Sequence, residues 1–170
     1  MIDFTAIDYL KNGNDRQKRA YELLSKHLIL EKLKEYSPVL AGTIPIEIDI
    51  EESDLDVICE VKDKAEFKRL LTDVFSEFNI HIEELVINGR EVITGNFTVE
   101  EFPVEIFGQD QPVTEQNAYR HMIAEYRILQ ERGEDFKQEI IALKKQGFKT
   151  EPAFGQLLGL ENPYEYLLKL

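Results

Sequence analysis

The sequence predicts an α+β fold in which helices flank a mixed β-sheet and a C-terminal helical extension follows it. Two observations carry this expectation. Short apolar, β-branched segments are concentrated in the middle of the chain, and helical spacing of apolar residues dominates after Gly108. Segregation of strands from helices, rather than their alternation, is typical of α+β proteins. We therefore expect a core over residues 1–108 and a helical extension over residues 109–170 that packs on the core.

The N-terminal half contains two helical patterns and one ambiguous segment. Residues 15–36 have apolar side chains at near-helical spacing, and Ser37-Pro38 should end that helix, because a residue before proline avoids the helical conformation. Residues 63–78 predict a second helix by the same spacing. "IPIEIDIEE", residues 44–52, alternates apolar and acidic residues, so it is either a half-exposed strand or an ordered loop at the edge of the core.

Four segments predict strands and four predict helices. The strands are "DLDVICEV", which is apolar enough to be central, then "IHIEELVI", "REVITGNFTV" and "FPVEIFG", separated by turn residues. The later helices are expected over residues 114–132 and 135–145, and in two short pieces that begin near Pro152 and Pro163.

Composition and charge exclude several classes of function. The net charge of −13 argues against non-specific binding to nucleic acid, which depends on Lys and Arg neutralising phosphates. No apolar run is long enough for a membrane span, and the N-terminal residues do not resemble a secretory signal. Cys59 is the single cysteine, so no internal disulfide can form. We expect a cytoplasmic protein that does not bind membranes.

Three carboxylates predict a cation site. Asp54 and Asp56 are two residues apart at the head of the central strand, so both side chains should leave the same face of the sheet. Glu105 lies between two apolar residues on a later strand, in the same pattern as Asp56. Carboxylate oxygens suit Mg²⁺ or Mn²⁺. The alternative is a row of solvated acids on an edge strand of an acidic protein.

A glycine-containing turn precedes the acidic strand. Gly42 follows a short apolar segment, and the missing side chain would let the backbone approach a ligand. Thr43 would supply a hydroxyl and an N–H group to a phosphate oxygen. An ordinary turn is the alternative explanation.

Gly42-Thr43, then Asp54-Leu55-Asp56 within "SDLDV", then Glu105 resembles the motif of the nucleotidyltransferase superfamily, which includes DNA polymerase beta and the minimal nucleotidyltransferases. The longer segments "GTIPIEIDIEESDLDVICEV", "VEIFGQDQPVTEQNAYRHM" and "GFKTEPAFGQLLGLENPYEYLL" resemble an uncharacterised bacterial branch of that superfamily. The chain departs from the usual pattern at Thr43, where Ser or Gly is common. The following loop also lacks the Arg and second Gly often present there.

The resemblance implies a nucleotidyltransferase-like sheet and a metal-dependent reaction. Asp54, Asp56 and Glu105 would hold Mg²⁺ or Mn²⁺ and act as the catalytic residues. A nucleoside monophosphate would pass from a nucleoside triphosphate, with ATP the expected donor, to an unknown small-molecule or protein acceptor. Two alternatives stay open: a catalytically silent nucleotide-binding sensor, and an acidic protein-interaction domain without a ligand.

The helical extension offers further nucleotide-binding candidates. Tyr119 could stack on a base, and Arg120, one residue later, could contact phosphates. Lys149 lies in "FKTEPAF", where it could also contact phosphate. The alternative there is a helix start with Thr150 as the N-cap residue and Lys149 in solvent. His121 is more typical of a structural histidine than of a ligand.

Overall fold

The structure is a computed structural model that describes residues 2–170, and within them five strands form one sheet. The order of strands across the sheet is β1-β2-β5-β4-β3. β2 and β5 are parallel, whereas the other three neighbouring pairs are antiparallel. The strands are β1 (Val39–Ala41), β2 (Leu55–Glu60), β3 (His81–Ile87), β4 (Arg90–Val99) and β5 (Phe102–Gln109).

Three helices precede or interrupt the strands, and four follow the last strand. The helices are α1 (Asp15–Lys26), α2 (Ile29–Lys32), α3 (Lys64–Val74), α4 (Asn117–Arg132), α5 (Glu134–Lys145), α6 (Thr150–Leu158) and α7 (Pro163–Leu167). Short 3-10 turns span Asp8–Asn12, Lys34–Tyr36, Ser76–Phe78 and Val113–Glu115. The predicted α+β class, with a mixed sheet flanked by helices, is confirmed. No helix within the described part of the chain has the length and apolar character that crossing a membrane requires.

The sheet separates two hydrophobic clusters. Along β2, Leu55, Val57 and Cys59 join the cluster that contains α1 and α3, whereas Ile58 joins the cluster that contains α4, α5 and α6. This division follows from the alternation of side chains along a strand. Asp56 is two residues from Ile58, so its carboxylate leaves the sheet on the face that the C-terminal helices cover.

The predicted single helix over residues 15–36 is wrong. α1 ends at Lys26, and Leu28 takes a left-handed conformation with φ of 54° before α2 begins. Leu33 is fully buried, and the break lets the chain turn so that this side chain reaches the core. Left-handed backbone at a leucine costs energy, and tertiary packing overrides this local preference.

Residues 44–52 form an ordered loop, so the strand alternative is wrong and the loop alternative is right. Ile44, Ile46 and Ile48 are buried. Glu47 has a positive φ of 61°, which is incompatible with an extended strand. Gln17 donates from its side-chain amide to the carbonyl groups of Ile44 and Pro45. Buried loop carbonyls are thus satisfied by side chains instead of by a neighbouring strand.

The left-handed conformation of Leu28 should lower the free energy of unfolding. Leu28→Asn should raise the free energy of unfolding by about 0.5 to 1 kcal/mol, because Asn tolerates left-handed backbone and the leucine side chain is 54% exposed. Urea unfolding at neutral pH measures the change. Leu28→Ala is the control, since it removes the same apolar surface without relieving the backbone strain. Equal stability of both variants would contradict the explanation.

Candidate active site

Asp56 and Glu105 are brought together by the parallel pairing of β2 and β5. The register pairs Asp56 with Glu105, as it pairs Val57 with Ile106. Neighbouring strands lie roughly 4.8 Å apart, and register partners project to the same face. The two carboxylates therefore stand side by side on the face covered by α4 to α6. Asp54 precedes the first residue of β2 and is half-buried.

The electrostatics of this pair are dominated by burial and by like charge. Burial raises the pKa of Asp56 well above its usual value, and the charges of Asp54 and Glu105 raise it further. Burial also raises the pKa of Glu105, with a contribution from Asp54. Asp54 is therefore close enough to act on both carboxylates. Such a group is stabilised either by taking up protons or by binding a cation.

Gly42 lies directly against Asp56. β1 pairs Ala41 with Asp56, and Gly42 follows with a positive φ of 82°. A β-carbon at Gly42 would collide with Oδ2 of Asp56. Both the backbone conformation and the space therefore require glycine here. Thr43 follows, with its hydroxyl oxygen 3.4 Å from the hydroxyl oxygen of Ser53.

A cavity of about 460 Å³ opens above the two carboxylates. Its size suits a small-molecule ligand. The sheet forms its floor, and α4 and the start of α6 form a wall. Its lining includes Gly42, Thr43, Asp56, Ile58, Glu105, Phe107, Glu115, Arg120, His121, Met122, Glu125 and Glu151.

The structure separates the predicted nucleotide-binding residues into two groups. Gly42, Thr43 and Arg120 border the cavity, and the exposed Arg120 donates a hydrogen bond to the carbonyl of Leu168. Tyr119 lies outside the cavity lining and packs against the second hydrophobic cluster. Lys149 is exposed and also lies outside the lining.

The alternative explanation of the "FKTEPAF" segment is partly wrong. Lys149, not Thr150, occupies the N-cap position of α6, and its side chain makes no capping hydrogen bond. Thr150 is the first helical residue. Lys149 is in solvent, as that alternative expected.

The acids fit a partial metal site more closely than a complete one. Within residues 2–170 no group of three His, Cys, Asp or Glu side chains is arranged as a set of metal ligands. Mg²⁺ in phosphate-transfer sites is commonly held by one or two carboxylates together with substrate phosphates and water. Asp56 and Glu105 supply two adjacent carboxylates beside Gly42, and their like charges repel each other. These residues therefore fit a cation whose coordination is completed by a phosphate ligand.

Glu125, on the wall of the cavity, is not among the residues predicted from the sequence. Glu125 is on α4 and is 3% exposed, and its Oε1 atom is buried without a hydrogen-bond partner. It lies three residues after Met122 and three before Ile128, both buried. An acid within the apolar stripe of a helix is a signal that the sequence contained.

His121 and Glu151 form a second polar pair on this wall. His121 Nδ1 lies 3.3 Å from Glu151, and its Nε2 lies 3.0 Å from the carbonyl oxygen of Tyr164. Burial lowers the pKa of His121, but the hydrogen bonds to Glu151 and Tyr164 outweigh it, so the pKa is raised. Burial raises the pKa of Glu151, but His121 outweighs that effect and lowers it. The pair ties α4 to α6 and α7.

Comparison with known proteins identifies a family and a fold. The family model described as "Domain of unknown function (DUF4269)" matches residues 22–170. A search of curated protein sequences gives no match.

Several solved structures are similar in fold. A GLD-2/RNP-8 complex has a TM-score of 0.56 at 11% identity over 88% of this chain and 60% of its own. The polymerase core of TRAMP, an RNA surveillance complex, has a TM-score of 0.55 at 8% identity over 95% of this chain and 50% of its own. A Cid1 poly(U) polymerase variant bound to MgATP has a TM-score of 0.55 at 14% identity over 94% of this chain and 49% of its own. The chain thus spans about half to three fifths of the length of these proteins and shares their fold.

The contact between Gly42 and Asp56 makes a prediction about stability. Gly42→Ala should lower the free energy of unfolding by at least about 1 kcal/mol more than Gly89→Ala, because a clash with Asp56 adds to the backbone strain. Gly89 also has a positive φ, of 76°, but open space surrounds its Cα. Chemical denaturation of both variants measures the difference. Equal losses would show that Gly42 is required only for its backbone conformation.

Burial of Glu125 should make folding stability depend on pH. Burial, followed by the charge of Glu151, raises the pKa of Glu125 well above 4.5, although Lys144 opposes this. The folded state then binds a proton that the unfolded state releases, so folding stability falls as pH rises above about 4.5 through the folded pKa. Glu125→Gln should therefore gain stability relative to wild type across that range, by up to about 1.4 kcal/mol per pH unit.

Urea unfolding from pH 4 to pH 8 tests this expectation. Glu139→Gln, on the exposed part of α5, is the control for the loss of one negative charge. The Glu125→Gln and wild-type curves should converge at pH 4. A constant difference in stability between Glu125→Gln and wild type at every pH would contradict the raised pKa of Glu125.

Proposed function

Because the chain belongs to the DUF4269 family and has a nucleotidyltransferase fold, we propose that it transfers a nucleoside monophosphate from a nucleoside triphosphate to a small-molecule or protein acceptor. ATP is the proposed donor. The observation that carries the proposal is the placement of Asp56 beside Glu105, against Gly42, on the floor of a cavity in that fold.

The carboxylates have distinct roles in this proposal. Asp56 and Glu105 would hold Mg²⁺ or Mn²⁺, with Asp54 adding negative charge to the same region. The metal would polarise the α-phosphate and balance its charge. Glu105 would accept the proton of the attacking hydroxyl. A new bond forms from that oxygen to the α-phosphorus, the bond to the β-phosphate oxygen breaks, and pyrophosphate leaves.

Backbone and basic groups would orient the triphosphate. The absence of a side chain at Gly42 leaves room for a phosphate beside Asp56, and Thr43 offers an N–H group and a hydroxyl. Arg120 borders the cavity from α4 and would contact phosphate. Tyr119 and Lys149 lie outside the lining, so we assign the nucleotide contacts to Gly42, Thr43 and Arg120.

The acidity of the chain supports an acceptor other than a nucleic-acid backbone. The net charge is −13, and affinity for polynucleotides depends on cationic side chains. The similar structures include a poly(U) polymerase and an RNA terminal U-transferase. We propose that this chain uses the same fold on a small molecule or a protein side chain.

A second candidate function is nucleotide binding without transfer. Asp54 lies outside the cavity lining, and the described residues contain no three-acid metal cluster. A sensor needs to bind the triphosphate but does not need the third carboxylate. The measurements below separate the two functions.

Metal binding should be visible as stabilisation. Mg²⁺ or Mn²⁺ together with ATP should raise the melting temperature, since a ligand of the native state stabilises it. At 100 times the dissociation constant the gain is about 2.7 kcal/mol, which is about 5 to 10 °C for a chain of this size. Asp56→Asn should remove most of the rise, because one of two adjacent carboxylates is lost. Asp73→Asn, an exposed acid on α3, should keep it.

Transfer should be visible with triphosphate labelled at the α-phosphate and a cell lysate as the source of acceptors. Wild type and Asp73→Asn should label a product, whereas the double variant Asp54→Ala, Asp56→Ala should not. Loss of several kcal/mol of charge stabilisation is a loss of several powers of ten in rate. Binding of ATP without any labelled product would favour the sensor. Absence of ATP binding with either metal would leave the acidic interaction domain.

A further inference from the structure

Glu125 is a buried carboxylate that the proposed transfer does not use. It lines the helical wall of the cavity, whereas Asp56 and Glu105 form part of the floor. We propose that Glu125 anchors a protonated amine on the acceptor, which makes the inner wall a subsite for a cationic small molecule. The naming of this ligand as the acceptor rests on the proposed function.

The side chain of Glu125 is buried and has an oxygen without a hydrogen-bond partner. The residue is 3% exposed and lines the cavity, and its Oε1 is buried without a hydrogen-bond partner. Leaving a buried carboxylate oxygen unpaired costs free energy that folding does not recover. A hydrogen-bond donor inside the cavity would remove that cost.

The neighbouring cations are already engaged. Both ring nitrogens of His121 have partners, in Glu151 and the carbonyl of Tyr164. Lys144 is buried, and its Nζ donates to the carbonyl of Ile48 at 2.7 Å. Neither cation is directed at Glu125 by a hydrogen bond.

The charge of Lys144 does not balance the carboxylates around it. Burial lowers the pKa of this lysine, but four carboxylates oppose the shift, those of Glu125, Asp49, Glu151 and Asp56. Asp49 also pairs with Arg16, and Glu151 pairs with His121, so Lys144 is shared between Glu125 and Asp56. A neutral hydroxyl would satisfy the Oε1 of Glu125 but would leave this imbalance. An ammonium group supplies both the donor and the charge, and it takes the place of the proton that burial favours on Glu125.

Apolar groups next to Glu125 define the rest of the ligand. Met122, Ile58 and Phe107 line the same cavity. A ligand with an aliphatic or cyclic body would cover these side chains while its amine reached Glu125. The subsite thus fits an amine on a compact apolar frame.

A pair of probes of the same shape tests the subsite without any transfer reaction. Cyclohexylammonium and cyclohexanol have similar size, but only the first has a charge at neutral pH. Met122 is buried against the cavity and is one of two methionines in the chain, so its ¹³C-methyl NMR signal, assigned with Met122→Leu, reports occupancy. Wild type should bind the ammonium probe at least tenfold more tightly than the alcohol.

Glu125→Gln should abolish that preference, because it keeps the shape but cannot release a proton to form the carboxylate that pairs with an ammonium group. Glu115→Gln is the matched control, since Glu115 also borders the cavity but is exposed. It should keep the tenfold preference. Equal binding of the two probes by wild type, which needs no variant to fold, would overturn the proposal. Retention of the preference in Glu125→Gln would also overturn it.

The same samples, titrated with Mg²⁺ and ATP, separate this subsite from the proposed function. Amine preference without ATP binding would keep the cationic subsite and remove the transferase. ATP binding and label transfer without amine preference would remove the subsite alone.

Discussion

Parallel pairing of β2 with β5 places Asp56 beside Glu105, and the surrounding structure accommodates the repulsion that results. The two carboxylates are partly buried on one face, and each raises the cost of ionising the site. On the other face Leu55 and Val57 are fully buried, so the strand cannot slip by one residue to move the acids away. Apolar burial thus fixes the acids in register, and Gly42 is the neighbour that leaves room for them.

The C-terminal helices turn this sheet face into a cavity, and polar contacts join them to the loop over residues 44–52. Lys144 reaches from α5 to the carbonyl of Ile48, and Lys137, also on α5, forms an ion pair with Glu47 at 2.8 Å. From the other side Gln17 satisfies the carbonyls of Ile44 and Pro45. The loop that follows Thr43 is therefore held by α1 and α5 together. The helical extension and the core share one site.

The positions of most strands and helices follow from the sequence, whereas the way they pair and where they break does not. β2 is recognisable by its largely apolar run and β5 by buried apolar residues at alternate positions, but the parallel pairing of the two strands depends on distant residues. The break at Leu28 was not predictable from spacing, because apolar positions continue through it. Alternation over residues 44–52 fits a loop as well as a strand. The first residue of β2 determines which acids border the cavity. β2 begins at Leu55, so Asp56 borders the cavity and Asp54, which precedes the strand, does not.

The charges that line the cavity constrain how an anionic ligand could enter it. Five carboxylates border the cavity, against two arginines and His121. A free triphosphate would be repelled from such a surface, whereas a triphosphate that carries a divalent cation would bring compensating charge to Asp56 and Glu105. The same field favours a cationic acceptor at Glu125. In the proposed reaction the acidity of the cavity would thus select both substrates, one by its metal and the other by its amine.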